Sequence, residues 1–229
     1  MLSNSTAFLA IWHGLESAGK SEWERWHTHE HMPERVGIPG FLAGRRYMND
    51  NDPEQCCFTI YEGSELSVFE SEAYLERLNN PTPWTGENAS TFRNFTRGAC
   101  QRIAHSGFEH GYGGVILTIR VGRGVGFSTD SKTLLTLNEI TTEVCDLEGI
   151  ATATIGLCDA KITATKTTER TLRKGTTEST LDGVLIVEGY NATKVKERAA
   201  KIENIVSIST VDLSPLPHQM YEFSYMLRS

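Results

Sequence analysis

The strongest constraint in this sequence is an order of elements that occurs twice. Alternating apolar residues bounded by turn formers mark strands at TAFLAIWH (6–13), FLAGRRYM (41–48), CCFTIYEG (56–63) and RGACQRIAH (97–105). Helical spacing marks SEWERWHTHEHM (21–32) and SVFESEAYLERLNN (67–80), while PTPWTGENASTFRN (81–94) reads as irregular or helical. The glycine-rich stretch GFEHGYGG (107–114) is a seam. After it the same order returns: strand 114–121, helix 131–149, strands 151–158 and 183–190, helix 191–205 and a closing strand 221–227. One local echo supports duplication. FTIYEGSELSVF and VLIVEGYNATKV, 126 residues apart, both pass from an apolar strand through Glu-Gly into a helix.

Two β-α-β-β-α-β units are the signature of the split-βαβ, ferredoxin-like arrangement. The expected fold is therefore α+β, with two fused ferredoxin-like units, 1–108 and 109–229, packing antiparallel sheets together. The Thr-rich stretch ITATKTTERTLRKGTTEST (162–180) reads as an insertion in the second unit. A formal net charge of −7 supplies no field for nucleic acid or an anionic membrane, so neither is expected as a partner. No apolar run is long enough for a membrane span or a signal h-region. Five cysteines without a C-x-x-C pair suit reduced thiols, and a cytoplasmic location is expected.

GLESAGKS, residues 14 to 21, satisfies the G-x-x-x-x-G-K-[ST] phosphate-loop pattern. Its surroundings do not. Glu16 places a carboxylate in the anion cradle, and the half lacks the parallel sheet that such a loop needs. The better reading is two loop glycines, Ser21 as an N-cap and Glu24 completing a capping box.

Counted round that helix, Trp23, Trp26, His27, Glu30 and His31 share the buried stripe, and His29 points away. A stripe ending in His-Glu-His breaks the apolar pattern where a core prefers Leu or Ile, as functional sites do. Pro33 is expected to end the helix within a turn. His27 and His31 at i, i+4 form a weak metal signal with no third ligand, so no metal is assigned. Glu30 is read as a functional carboxylate, a group holding an imidazole, or an anchor for Arg45 or Arg46.

The segment W-H-T-H-E-H-M-P-E-R-V-G-I-P-G-F-L-A-G-R-R-Y, Trp26 to Tyr47, resembles the EthD-like branch of the dimeric α+β barrel superfamily. The resemblance implies a ferredoxin-like barrel whose sheets enclose a pocket. It also implies chemistry on small, often aromatic or lactone substrates, by isomerases, cyclases, dehydratases, decarboxylases, cofactor-free oxygenases or haem enzymes. By position, the Glu-His pair of that branch falls on Glu30 and His31. The second half has no such motif and is expected to be a structural partner. The leading expectation is a cofactor-independent lyase or isomerase, with no cofactor bound. His31 is its general base and acid, Glu30 its orienter, and Arg45 or Arg46 its anion-stabiliser. Strand alternation allows only one of the two arginines to face the pocket. His27, Trp23, Trp26, Phe41, Tyr47, Tyr61 and Trp84 are the expected substrate-binding residues for a small molecule. The rival readings are a non-catalytic binding or stress-response module and a haem- or metal-dependent oxygenase. A homodimer is the expected assembly.

Overall fold

The computed structural model describes residues 4–109, 111–173, 178–179 and 181–229. The first half runs β1 (Ala7–Leu15), α1 (Lys20–Trp26), a π-helical turn (His27–His31), α2 (Met32–Val36), β2 (Phe41–Met48), β3 (Cys57–Gly63), α3 (Glu72–Asn79), α4 (Pro83–Ala89) and β4 (Phe92–Gly107). The second runs β5 (Val115–Arg123), α5 (Ser131–Cys145), β6 (Ile150–Cys158), α6 (Ala160–Thr163), α7 (Thr168–Leu172), β7 (Glu178–Ser179), β8 (Gly183–Gly189), α8 (Ala192–Ser207), β9 (Leu213–Pro215) and β10 (Gln219–Arg228).

Within each half the main strands lie in the same spatial order, β4-β1-β3-β2 and β10-β5-β8-β6. The halves join antiparallel at both edges. β2 pairs with β10 (Met48 opposite Glu222), and β4 pairs with β6 (Cys100 opposite Cys158). Because β1 also pairs with β4, the sheet closes into an eight-stranded barrel with no free edge between the halves. The fold is the expected one, two fused ferredoxin-like units in a dimeric α+β barrel arrangement.

The barrel interior is solid. Phe8, Trp12, Tyr47, Phe58, Ile186 and Tyr221 fill it, with Trp12 and Phe58 ring centroids 4.9 Å apart. Burying each such aromatic is worth roughly 1.5–3 kcal/mol, so this plug is a main source of stability. Fit is tight enough that a Cβ on Gly156 would stand 2.2 Å from the Phe8 ring. The expectation of a pocket enclosed by the sheets is therefore corrected: side chains of both halves occupy that space.

Outside the barrel, the helices cover the sheet in two different ways. In the second half, Leu137, Ile140 and Val144 of α5 and Val195, Ala199 and Ile202 of α8 form aliphatic stripes on Leu117, Ile119, Leu185 and Val187. The first half has no such closed layer. Beside apolar contacts from Trp23, Met32, Val36 and Leu78, its helices present histidines and arginines to the sheet, and a cavity remains there.

The phosphate-loop pattern is structural. Lys20 Nζ pairs with Asp50 at 2.5 Å, and Glu16 pairs with Arg93. A Cβ at Gly14 would meet the Pro53 and Glu54 carbonyl oxygens at 2.6 Å, so the close backbone approach requires glycine. The capping expectation is corrected: α1 starts at Lys20 behind Gly19, with no side-chain cap from Ser21. No helix among the described residues is long and apolar enough to cross a membrane.

Candidate active site

The helix carrying the motif does not stop at Pro33. Proline has no N–H for the His29 carbonyl, and the chain passes this gap with a π turn in which the Met32 N–H bonds the His27 carbonyl. α2 then continues through Pro33 to Val36. The wider turn keeps His27 and His31 on the buried side, ring centroids 5.6 Å apart, and leaves His29 exposed. π turns of this kind concentrate at functional sites.

His27, His31, Trp23 and Tyr61 line a cavity of about 110 Å³ with His13 of β1. The floor is the outer face of the first-half sheet. The roof comes from the other half: Thr163, Thr165, Thr167, Glu169, Arg170 and Arg173, all in the Thr-rich stretch, close over it. Residues 174–177 and 180 of that stretch lie outside the described residues. α7 packs on α3 and α4. Its attachment is polar, through Arg35 to Glu169, Thr168 N to Asn79 Oδ1 (3.1 Å) and Arg97 Nη1 to the Thr163 carbonyl (3.2 Å). The second half thus completes the site rather than merely bracing it.

Each histidine has a distinct setting. Arg46 Nη1 lies 3.4 Å from His27 Nδ1, and a guanidinium can only donate. Nδ1 is therefore the acceptor, so Nε2 carries the proton and donates to Tyr61 Oη at 3.3 Å. His13 Nδ1 donates to the Gly14 carbonyl at 3.1 Å. His31 lies against the Trp26 indole at 4.4 Å, and its Nδ1 is buried without a hydrogen-bond partner. Burial, with nearby cations, holds all three neutral. His13 is lowered to about 3, chiefly by burial. Burial and then Arg46 hold His27 well below the usual imidazole value; for His31 the causes are burial, Arg35, His27 and Arg173.

The two arginines of β2 do alternate, but neither lines the cavity. Arg46 faces the helices and acts as a strut beneath α1, donating to the Glu24 carbonyl (3.3 Å) and Thr28 Oγ1 (3.1 Å). Arg45 points into the barrel, where it meets Glu62 and Glu188 at 2.9 Å each and Tyr47 Oη at 2.6 Å. Tyr47 is correspondingly a barrel residue and does not line the cavity. Glu30 does not touch an imidazole. It accepts from Trp26 Nε1 (3.2 Å) and Thr82 Oγ1 (2.5 Å), and so fixes the indole against which His31 lies. Trp84 donates to Glu22 at 2.8 Å away from the cavity, and Phe41 packs in the core beside it.

Four arginines that line the cavity were not singled out by sequence: Arg35, Arg97, Arg170 and Arg173. Arg35 carried a usable signal, because it follows His31 by four residues on the same stripe. Arg97 sits in a strand, and Arg170 and Arg173 lie in a segment whose composition reads as solvated.

A haem does not fit these residues. The cavity, about 110 Å³, is smaller than the roughly 150 Å³ cavities that admit a single benzene, and the second half's helix layer is filled with aliphatic side chains. A metal ion is equally ill-served: Arg46 and Tyr61 engage both nitrogens of His27, and four guanidiniums surround the pair. A larger groove, about 930 Å³, runs past residues 48–52 and 218–224. It is a surface trough of mixed charge, where His218 is paired to Glu203 at 2.8 Å.

Solved structures match over nearly the whole chain. An anthrone oxidase-like protein aligns with 8% identity, 100% of this chain and 95% of that one, at a TM-score of 0.63. A candidate monooxygenase from Lactobacillus acidophilus shares 9% identity over 98% and 96%, with a TM-score of 0.55. A mutant chlorite dismutase from Candidatus Nitrospira defluvii shares 10% over 96% and 92%, with a TM-score of 0.56. The fold is that of the dimeric α+β barrels. No protein-family model and no curated protein sequence matches the chain.

Proposed function

We propose that this chain is a cofactor-independent enzyme that moves a proton on a small metabolite held in the cavity beside His31. The observation that carries the reading is the His31 imidazole, neutral in a cavity wall with its Nδ1 unpartnered. Buried polar atoms are ordinarily satisfied, and an unsatisfied one on a side chain that lines a cavity is a group that a ligand would complete. His31 takes a proton from an acidic C–H, the electron pair staying on the substrate as an enolate. Return of that proton to another carbon gives an isomerase; loss of a β-leaving group gives a lyase. Closer kinship with the EthD-like branch rests on the Trp26–Tyr47 segment and is part of the same proposal.

The test does not require the natural substrate. In D₂O, the protein should catalyse deuterium wash-in at acidic C–H positions of some members of a panel of small ketones and keto acids. His31→Ala should cut that rate by about 10²–10⁴-fold with an unchanged melting temperature. Equal exchange by the variant, or tight binding of a panel member without exchange, contradicts the proposal. The sign of the pH dependence also follows. The base must be unprotonated, and its pKa lies well below 6.5. Activity of the free enzyme should therefore stay level as pH falls through 6.5, and an acid limb centred there would contradict it.

A second reading is favoured by the names of the matching structures, monooxygenase and anthrone oxidase-like. The same deprotonated carbon would then react with dioxygen, a CH₂ group and O₂ giving a carbonyl and water. An oxygen electrode separates the two: consumption matched to product identifies the oxygenase, and its absence the lyase or isomerase.

A further inference from the structure

We propose that Cys100 and Cys158 form a reversible disulfide that staples the two halves together, made when a peroxide oxidises the native protein. The proposal is independent of the reaction assigned to the cavity. All five cysteines are thiols in this structure. Cys100 of β4 and Cys158 of β6 stand directly opposite each other where the halves join. The main chain shows which kind of pair they make. Asp159 N donates to the Ala99 carbonyl at 2.8 Å, so the bonds between these strands fall on the neighbouring pair. Cys158 N turns away to the Asp182 carbonyl at 2.9 Å. A non-hydrogen-bonded pair brings its Cα atoms to about 4.5 Å, within the roughly 4.4–6.8 Å that a disulfide spans.

Two glycines leave room for the sulfurs. Gly98 and Gly156 each lie two residues before one of the cysteines, on the same face of the strand. A Cβ on Gly98 would stand 3.2 Å from Cys158 Sγ, and one on Gly156 would stand 3.0 Å from Cys100 Cβ.

The two thiols differ in reactivity. Thr163 Oγ1 accepts from Ala99 N at 3.0 Å, which leaves its own proton for Cys158 Sγ, also 3.0 Å away. Donation from Cys100, then from Thr163, with the charges of Arg123 and Arg97, outweighs burial and brings the Cys158 thiol down to about 7. Burial raises Cys100, Cys56, Cys57 and Cys145 above the ordinary thiol value. Cys158 is therefore the thiolate that attacks, because the thiolate and not the thiol is the nucleophile. Its sulfur bonds one peroxide oxygen, the O–O bond breaks, and the other oxygen leaves as water with the proton that Cys158 has given up. Cys100 then attacks the sulfenic sulfur. The S–S bond forms, the S–O bond breaks, and that oxygen leaves as a second water with the Cys100 proton. Two thiols lose two electrons in all, and one peroxide becomes two waters. Thr163 also holds Arg97 through its carbonyl, so the pair lies at the root of the roof that covers the cavity.

The full-length protein, incubated with a few equivalents of hydrogen peroxide well below its melting temperature, tests this. Denaturation in N-ethylmaleimide and peptide mass mapping should then show two thiols lost and Cys100 joined to Cys158, with dithiothreitol restoring both. Closing a loop of roughly 60 residues should raise the melting temperature by about 5–15 °C. In Cys100→Ser the Cys158 sulfenic acid should be trapped by dimedone, and in Cys158→Ser the Cys100 thiol should stay reduced. Circular dichroism melts confirm that both variants are folded. Cys100 and Cys158 both alkylated after prolonged peroxide treatment would overturn the proposal. So would a cross-link formed only above the melting temperature, an unchanged or lower melting temperature of the oxidised protein, or equal oxidation of Cys100 without Cys158.

Discussion

Replacing Arg45 with alanine should remove about 3–5 kcal/mol of stability, a large share of the roughly 5–15 kcal/mol that holds a domain together. Arg45, Glu62 and Glu188 are essentially inaccessible. Burial pulls the Arg45 pKa down, but Glu188, Tyr47 and Glu62 outweigh it and hold the guanidinium charged, well above its ordinary value. Removing it takes away the cation that both carboxylates share, in a space too well packed for water to enter freely. Glu188 also accepts from the Gly113 N–H at 3.3 Å, so the loss reaches the connection between the halves. Neutralising all three together, as Arg45→Met with Glu62→Gln and Glu188→Gln, should recover most of the deficit, because a buried ion cluster is often no better than a neutral one of similar shape. Urea denaturation checks both. An alanine variant within about 1 kcal/mol of the parent would show that the cluster is not a structural centre.

Acid should weaken the fold by about 4 kcal/mol between roughly pH 7.5 and 5.5. His13, His27 and His31 are all nearly inaccessible, and their pKa values in the folded chain lie below the 6.5 of an unfolded imidazole. Below pH 6.5 the unfolded chain therefore binds protons that the folded chain refuses. The stability that these groups contribute is complete above 6.5 and is lost as pH falls towards their depressed values, by about 1.4 kcal/mol for each histidine one unit below 6.5. His13→Phe should reduce the slope by about a third, since its neighbours Trp23, Phe92 and Phe95 already offer an aromatic socket. A stability curve that is flat from pH 7.5 to 5.5 contradicts the assignment of buried neutral histidines.

The fold was largely legible because its elements are locally encoded. β2 occupies the residues read from its alternation, and the seam falls between β4 and β5. The Glu-Gly echo is visible in the sequence, and the structure adds its physical content: Glu62 and Glu188 occupy corresponding positions and close on one arginine. The stripe of α1 correctly brought Trp23, Trp26, His27 and His31 to the buried side. What sequence missed is non-local. Whether Arg45 and Arg46 reach a cavity depends on which side of a closed barrel is hollow, and two halves filling the interior together decide that. The roles of Arg170 and Arg173 depend on the β4–β6 pairing, which carries their segment over the other half. The π turn needs a count of five where the eye uses 3.6.

On the proposed reading the ligand sits in the cavity beside His31 and not in the larger surface groove. Indole N–H resonances in a ¹H–¹⁵N correlation spectrum report on it directly. Trp12, Trp26 and Trp84 donate to Thr118, Glu30 and Glu22, whereas Trp23 Nε1 is buried without a partner in the cavity wall. A small ketone or keto acid whose C–H exchange the protein catalyses should move the Trp23 resonance furthest and leave those of Trp12 and Trp84 in place. A saturating titration in which Trp23 stays still while amides of residues 48–52 and 218–224 shift would contradict the account.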